Sequence, residues 1–484
     1  MFKRKESNDP SPPRGLKWRS NTLFIVFTVG MGAFTDLFLY GLIVPVLPFM
    51  LKERVDLPDS EIQSTISNLL AIYAAAAVIA SPIAGILADK YSNSRQLPFV
   101  LGLVMLVFAT VLLALGQSVA VLGLARFLQG ASGGVVWTVG LAILIETVGQ
   151  ENLGKTMGTI FSFISVAGLF SPVLGGLLYA RSGYRGVFGV GIGLVAVDFV
   201  LRLLMVEKKV AEKYDGQSTP PDDTEATTDD AERTPLLSDT TKKDLRYRLK
   251  TPKNRLLQSL PVLLIFRDPS FLTAIWIGFM QAVLLGSFDA TVPLVASEQF
   301  GFNSLKAGLM FLPLGGADFL LGPVFGWCVD RYGTKPLSVL GFTWLVPSLA
   351  LLRLSTNSVG DKLDFGRHVA LYAGLLASNG VGLAIINSPA IVEAGNVVEK
   401  YWKANGDIFE TAPYAQLYGI NGMIWSAGLT VGPLVAGSLR EKIGYGNMNA
   451  VLGGLCALTV VLAAAFIGKQ ETTQDDDDNN IRCE

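Results

Sequence analysis

Asp36 lies about halfway along the first long apolar run of the chain, in Phe34-Thr-Asp36-Leu-Phe-Leu-Tyr40-Gly41, which is followed by Pro45-Val-Leu-Pro48. Two more carboxylates sit inside apolar runs, Asp289 in Ser287-Phe-Asp289-Ala-Thr-Val-Pro293 and Asp318 in Gly315-Gly-Ala-Asp318. A charge at mid-membrane costs about 2.5–3.5 kcal/mol on insertion scales, so each must face water, a partner or a ligand. Either some of them bind protons or a cationic group, or each only hydrogen-bonds a neighbouring helix. Arg126 opens another apolar run in Arg126-Phe-Leu-Gln129-Gly130-Ala-Ser-Gly133-Gly134. Its guanidinium does not shed its proton, so it needs a carboxylate, a carbonyl or a ligand. Glu146, at the far end of that run, reads equally as a coupling group or a wetted interfacial carboxylate. His368 is the single histidine, and no H-E-x-x-H or nucleophile-elbow pattern occurs. Enzymatic chemistry, a metal site and a bound cofactor are therefore not expected.

These groups need a membrane to position them. Half of the 484 residues are hydrophobic and only 16% are charged, with a mean hydropathy of +0.45. A soluble chain of this length would carry far more charge. The net charge of −1 gives no reason to expect nucleic acid as a partner. The cysteines, Cys328, Cys456 and Cys483, form no disulfide or metal spacing.

Twelve apolar spans of about bilayer length follow one another, at 22–50, 61–88, 97–115, 120–148, 156–179, 186–205, 271–297, 305–329, 336–354, 368–392, 415–437 and 447–468. The expected organisation is a cytoplasmic tail (1–21), a six-helix half (22–205), a linker (206–260), a second six-helix half (261–468) and an acidic tail (469–484). The linker is rich in Asp, Glu, Thr, Pro and Lys and buries too little apolar surface to offset its ordering entropy. Basic residues in the N-terminal tail and at Lys242 to Arg255 place both termini and the linker on the cytoplasmic side.

An internal repeat ties the halves together. Gly326-Trp-Cys-Val-Asp330-Arg331-Tyr-Gly333-Thr-Lys335 ends one span with an acid and bases, and Gly85-Ile-Leu-Ala-Asp89-Lys90, followed by Arg95, does so 241 positions earlier. A second offset, of 261, relates Gly158 to Gly419, Pro172 to Pro433, and Gly183-Tyr184 to Gly444-Tyr445. About twenty residues were therefore added between spans eight and eleven, much of that in the polar segment from Gly395 to Pro413. Gly158, Pro172, Gly175 and Gly176 of span five and Gly419, Gly428, Gly432 and Pro433 of span eleven permit close packing and bending.

Together these residues resemble the major facilitator superfamily, and within it the twelve-span drug:proton antiporters that include vesicular amine transporters. Gly326 to Lys335 matches that family's loop motif, of which Gly85 to Arg95 is a degraded copy. Arg126 to Gly130 matches its fourth-helix motif and Pro45 to Pro48 the end of its first helix. The antiporter motif is partial in span five, with Ala167 and Ser171 for glycines, and fuller in span eleven, with Ala436 for one. The resemblance implies an all-α integral membrane fold of twelve transmembrane helices in two pseudo-symmetric halves. It implies alternating access about a midplane site, with Gly85, Asp89, Arg95, Gly326, Asp330, Arg331 and Lys335 in gating. Asp36 stands where vesicular amine transporters carry an Asp; their acidic residues of helices ten and eleven have no counterpart, and Asn387 of Asn387-Ser388-Pro389 stands in span ten instead. A monoamine is thus doubtful as the substrate.

The resulting expectation is a secondary transporter, of the multidrug-efflux type, that moves a small amphipathic or cationic organic molecule by proton antiport. A nutrient symporter or uniporter and a non-transporting receptor are the alternatives. The partners would be the lipid bilayer, a small-molecule substrate and protons. Glu232-Arg-Thr-Pro-Leu236-Leu237 fits the acidic dileucine pattern read by sorting adaptors, so a vacuolar or other internal membrane competes with the plasma membrane as the address.

Overall fold

In hydrocarbon every backbone polar group must be satisfied internally, and a chain of Gly- and Pro-punctuated apolar runs meets that demand only as helices. The computed structural model describes residues 15–90, 96–148, 153–208, 210–211, 247–249, 261–355, 365–405 and 414–468, and among them every regular element is helical. In chain order these are α1 (Leu16–Arg19), α2 (Thr22–Ile43), α3 (Leu47–Arg54), α4 (Asp59–Lys90), α5 (Gln96–Leu115), α6 (Val119–Val148), α7 (Leu153–Leu204), α8 (Pro269–Phe300), α9 (Ser304–Leu309), α10 (Phe311–Tyr332), α11 (Thr334–Leu351), α12 (Phe365–Ile386), α13 (Pro389–Ala404), α14 (Tyr414–Ile443) and α15 (Tyr445–Phe466). Short 3₁₀ turns precede α8 and follow α11.

Eleven helical stretches among the described residues are long and apolar enough to cross a membrane. One of them, Val166–Leu204, runs for 39 residues, almost twice what one crossing needs. Gly183 divides it, with φ 57° and ψ −149° inside α7, and the count becomes twelve. The same turn recurs at Gly444, whose φ of 82° separates α14 from α15. The Gly-Tyr pairs at 183 and 444 are therefore equivalent breaks between consecutive spans, at positions where a Cβ would be strained. Gly333 (φ 86°) serves likewise between α10 and α11.

Several spans differ from the sequence expectation. The run 22–50 is two helices, because Val44 to Val46 interrupt it and Pro48 sits in the first turn of α3. The run 368–392 breaks at Asn387-Ser388, and α13 then continues to Ala404. The polar segment beginning at Gly395 is thus helix as far as Ala404, amphipathic and half-buried.

By backbone contacts the chain forms two units: residues 1–241, 288–311 and 429–434, and residues 242–287, 312–428 and 435–484. In the first, α6 packs on α4 and α5, and α2 on α7; in the second, α11 packs between α15 and α12. α8 is shared, its C-terminal part from Phe288 belonging to the first unit. Residues 1–14 and 469–484 of the tails, Arg95 and the sorting residues Glu232, Leu236 and Leu237 lie outside the described residues.

Candidate functional site

The small residues that follow Arg126 set the spacing of the first unit. A Cβ on Gly130 would run into the Tyr73 carbonyl oxygen and lie 2.6 Å from its carbon and 2.9 Å from the Tyr73 Cα. One on Gly134 would meet the Ala77 oxygen at 2.9 Å, and one on Gly133 would meet Asp36 Oδ2 at 2.8 Å. α6 can therefore touch α4 backbone to backbone and leave room for the Asp36 carboxyl. α7 meets α2 in the same way: a Cβ on Gly175 would collide with the Leu42 carbonyl, and one on Gly41 with Ser171 Oγ. Gly176 lies against the carbonyl of Ser304.

Within this spacing, two acids, a base and two tyrosines converge. Tyr73 Oη donates to Asp36 Oδ2 at 2.9 Å, and Tyr40 Oη donates to Asp289 Oδ2 at 3.0 Å. The two phenol rings lie 4.9 Å apart. The Arg126 guanidinium stands 5.3 Å from the Tyr40 ring centre and 5.4 Å from that of Tyr73, within cation–π range of both. Its Nη1 also donates to Gln129 Oε1 at 2.8 Å. Asp36 and Arg126 are 2% and 0% exposed, while Asp289 is partly exposed. Nearby, Gln63 Nε2 donates to Ser67 Oγ at 3.1 Å and to the Ala290 carbonyl at 3.2 Å. The geometry thus brings together Asp36, Arg126 and Asp289, three residues singled out by their cost in a bilayer. With both carboxylates ionised the group carries two negative charges and one positive. A single proton or a single organic cation would neutralise it.

Asp318 and Asn387 fall in the second unit. Asp318 is half-buried on α10, and its Oδ1 has no hydrogen-bond partner among the described residues. Asn387 Oδ1 accepts from Gln281 Nε2 at 3.2 Å. Trp276 Nε1 donates to Thr459 Oγ1 at 3.0 Å as a helix-packing contact.

At the edge of the second unit, Asp330 and Arg331 are exposed and make no ion pair among the described residues. Arg331 lies 5.4 Å from the Trp327 ring centre, and a Cβ on Gly326 would sit 3.6 Å from Ser388 Oγ. Beside them is a residue the sequence had hidden, Glu393, only 6% exposed. It accepts from Ser270 Oγ at 2.6 Å, from Thr334 Oγ1 and from the Gly468 N–H at 3.4 Å. One carboxylate thereby fastens α8, α11 and the end of α15 to α13. Lys335 is half-buried and lies against Gly468. In the earlier copy of the motif, Gly85 faces Thr138 and Asp89 lies in the last turn of α4.

Of the remaining repeat residues, Pro172, Gly432 and Pro433 are buried and Gly419 is exposed. Gly158 lies within α7, and a Cβ on Gly428 would meet the Phe279 oxygen at 2.6 Å. Glu146 is exposed.

Composition alone did not single out Asp198 and Arg202 on the second arm of α7, both 0% exposed. The available signal was an Asp and an Arg four positions apart inside an apolar span. A cavity of about 510 Å³ opens elsewhere in the first unit, lined by Phe49, Glu53, Arg54, Tyr179, Tyr184 and Asn303 among others. It does not include the Asp36 group.

Comparison with known proteins adds to this geometry. The family profile described as Major Facilitator Superfamily matches residues 29–401. A protein of Metarhizium rileyi (strain RCEF 4871) called MFS-type transporter ppzB is 42% identical over 477 residues, which cover 95% of this chain and 98% of that one. The vesicular acetylcholine transporter of Drosophila melanogaster is 24% identical over 453 residues, covering 88% and 68%. Among solved structures, the nucleoside transporter NupG superposes with a TM-score of 0.59 at 13% identity, covering 91% of this chain and 98% of that one. At that identity the likeness concerns the fold alone.

Proposed function

The chain belongs to the major facilitator superfamily and is a multi-pass membrane transporter, and on that footing we propose that it exchanges a small organic cation for protons. The observation that carries the reading is the group of Asp36, Asp289 and Arg126 bridged by Tyr40 and Tyr73. A mid-membrane carboxylate costs about 2.5–3.5 kcal/mol, which a proton or a cation removes. Only one of the two is needed, so they compete for the same place, and competition for one seat is the basis of antiport. Tyr73 holds Asp36 through Oδ2. Arg126 keeps a fixed positive charge that limits the group to a single added cation. The tyrosine faces favour a cation with apolar substituents. A relative named for acetylcholine, itself a quaternary ammonium, supports that chemical class.

The transport cycle would use the two six-helix halves, 22–205 and 261–468, with the segment at 206–260 between them and both termini cytoplasmic. Asp318 and Asn387 would line the path from the second half. Gly85, Asp89, Arg95, Gly326, Asp330, Arg331 and Lys335 would govern switching at its cytoplasmic edge. The membrane is the plasma membrane, as in multidrug efflux, or an internal vesicle membrane.

The test uses full-length protein in sealed liposomes with an internal pH dye and an imposed pH gradient. A diverse library of organic cations, amines and neutral solutes is screened for compounds that collapse the gradient. The reading expects organic cations to do so with the wild type and not with Asp36→Asn at equal incorporation. Collapse by Asp36→Asn at the wild-type rate would refute it. Co-movement of compound and protons in one direction would replace antiport by symport.

A further inference from the structure

We propose that Asp198 is a second proton-binding carboxylate of the first unit, set with Arg202 as a relay between the Asp36 group and the helix end where the N-terminal segment docks. Its place in a transport cycle rests on the proton-exchange reading; whether it binds a proton does not.

Asp198 and Arg202 are neighbours one turn apart on α7, both fully buried. A bidentate pair would satisfy both carboxylate oxygens and two guanidinium nitrogens, and that pair is not made. Neither Asp198 oxygen has a hydrogen-bond partner among the described residues, nor do Arg202 Nε and Nη2. Arg202 Nη1 reaches only the Met205 sulfur, at 3.4 Å, and the guanidinium lies over the Phe99 ring. An ionised carboxylate with no hydrogen bond is costly in such a place, whereas a neutral carboxyl is far less so. The residue therefore has reason to hold a proton, and Arg202 supplies the positive charge that lets it be given up.

The surroundings limit which groups could exchange that proton. α2 presents Gly32, whose missing Cβ would lie 3.7 Å from Asp198 Oδ1, 3.3 Å from Phe99 of α5 and 3.3 Å from Val136 of α6. None of these facing groups titrates. The charged groups acting on Asp198 are Arg202 on its own helix and Asp36, one turn beyond Gly32 on α2. Glu207 bears on Arg202 from the far side. At the end of α7, the Arg19 side chain donates to the carbonyls of Leu203 and Leu204, and the Val206 N–H donates to the Arg19 carbonyl at 3.0 Å. The order is thus Asp36, Asp198, Arg202, then the docked N-terminal segment. In the relay step the Asp36 O–H breaks and an O–H forms on Asp198. The proton then leaves to water at the helix end, restoring the carboxylate.

Infrared difference spectroscopy between acid and alkaline pH, on the full-length protein in phosphatidylcholine bilayers, reads buried carboxyl groups directly. The wild type should show carbonyl bands that vanish on ionisation. Asp198→Asn should remove one of them and leave another, which Asp36→Asn removes. Asp198→Glu keeps a carboxyl in place and should restore the lost band at a shifted frequency. It carries the test if the Asn variant fails to fold. Spectra of both Asp198 variants identical to the wild type would overturn the proposal, because Asp198 would then be a permanently ionised structural partner of Arg202. An unchanged spectrum in Asp36→Asn alone would sink the Asp36 reading while leaving the Asp198 assignment intact.

Discussion

Replacing Gly130 by Ala adds a single methyl group where α6 meets the backbone of α4. That methyl would sit 2.6 Å from the Tyr73 carbonyl carbon and 2.9 Å from its Cα. Carbon atoms rest about 3.5–4.0 Å apart, so the helices must separate by roughly 1 Å. The atoms met are backbone, which cannot turn aside. Overpacking of this kind costs about 1–3 kcal/mol, partly masked by the gain of about 1 kcal/mol that Ala brings to any helix interior. Gly168→Ala isolates the masking term, since a Cβ there meets nothing within 4 Å. The propensity gain cancels in the comparison and leaves about 1–3 kcal/mol between the two variants. Thermal unfolding in one detergent should therefore place Gly130→Ala several degrees below Gly168→Ala. The Tyr73 hydroxyl moves with its helix, so the Tyr73–Asp36 bond should loosen and cation-driven proton exchange fall in Gly130→Ala alone. Equal midpoints and equal exchange in the two variants would refute the claim that this contact sets the site.

Glu393→Ala should lower the unfolding midpoint, since orphaned donors at Ser270 and Thr334 cost about 1–3 kcal/mol; Glu393→Gln retains an acceptor and should lose less, and equal losses would count against the hub. Asp330→Ala should slow exchange while leaving equilibrium binding of an exchanged cation unchanged; weaker binding at an unchanged rate would place Asp330 in the site instead. A fluorescent fusion with Leu236 and Leu237 changed to Ala should move from an internal membrane to the cell surface. A wild-type fusion already at the surface, or an unmoved variant, ends the sorting hypothesis.

The helical architecture could be read from the sequence because the bilayer removes alternatives: apolar length predicts a crossing, and the paired Gly-Tyr steps mark where crossings turn. Gly183 and Gly444 illustrate this, since both positive-φ breaks fall on the repeat. Asp36, Arg126 and Asp289 were visible for a related reason, that charge in hydrocarbon demands an explanation. Their convergence was not visible, because it depends on tyrosine hydroxyls, and Tyr73 in an alanine-rich run looks like any interior aromatic. Glu393 was missed because the tenth span was expected to end at 392, whereas an amphipathic helix carries the chain on to Ala404. Asp198 and Arg202 have no counterpart in the repeat that exposed the other charged motifs, and they could be noticed only by their spacing.

Ser171 stands where the antiporter pattern has glycine, and its hydroxyl occupies the space in front of Gly41 on the opposing helix. In this chain the bare position is Gly41, on the facing helix. What the two helices hold in common is a gap wide enough for one small side chain, and either helix can supply it. Position 171 and position 41 should then vary as a pair, with a glycine at 171 tolerating a serine or alanine at 41. A pattern written for one helix will score such a protein as degenerate although its packing is whole.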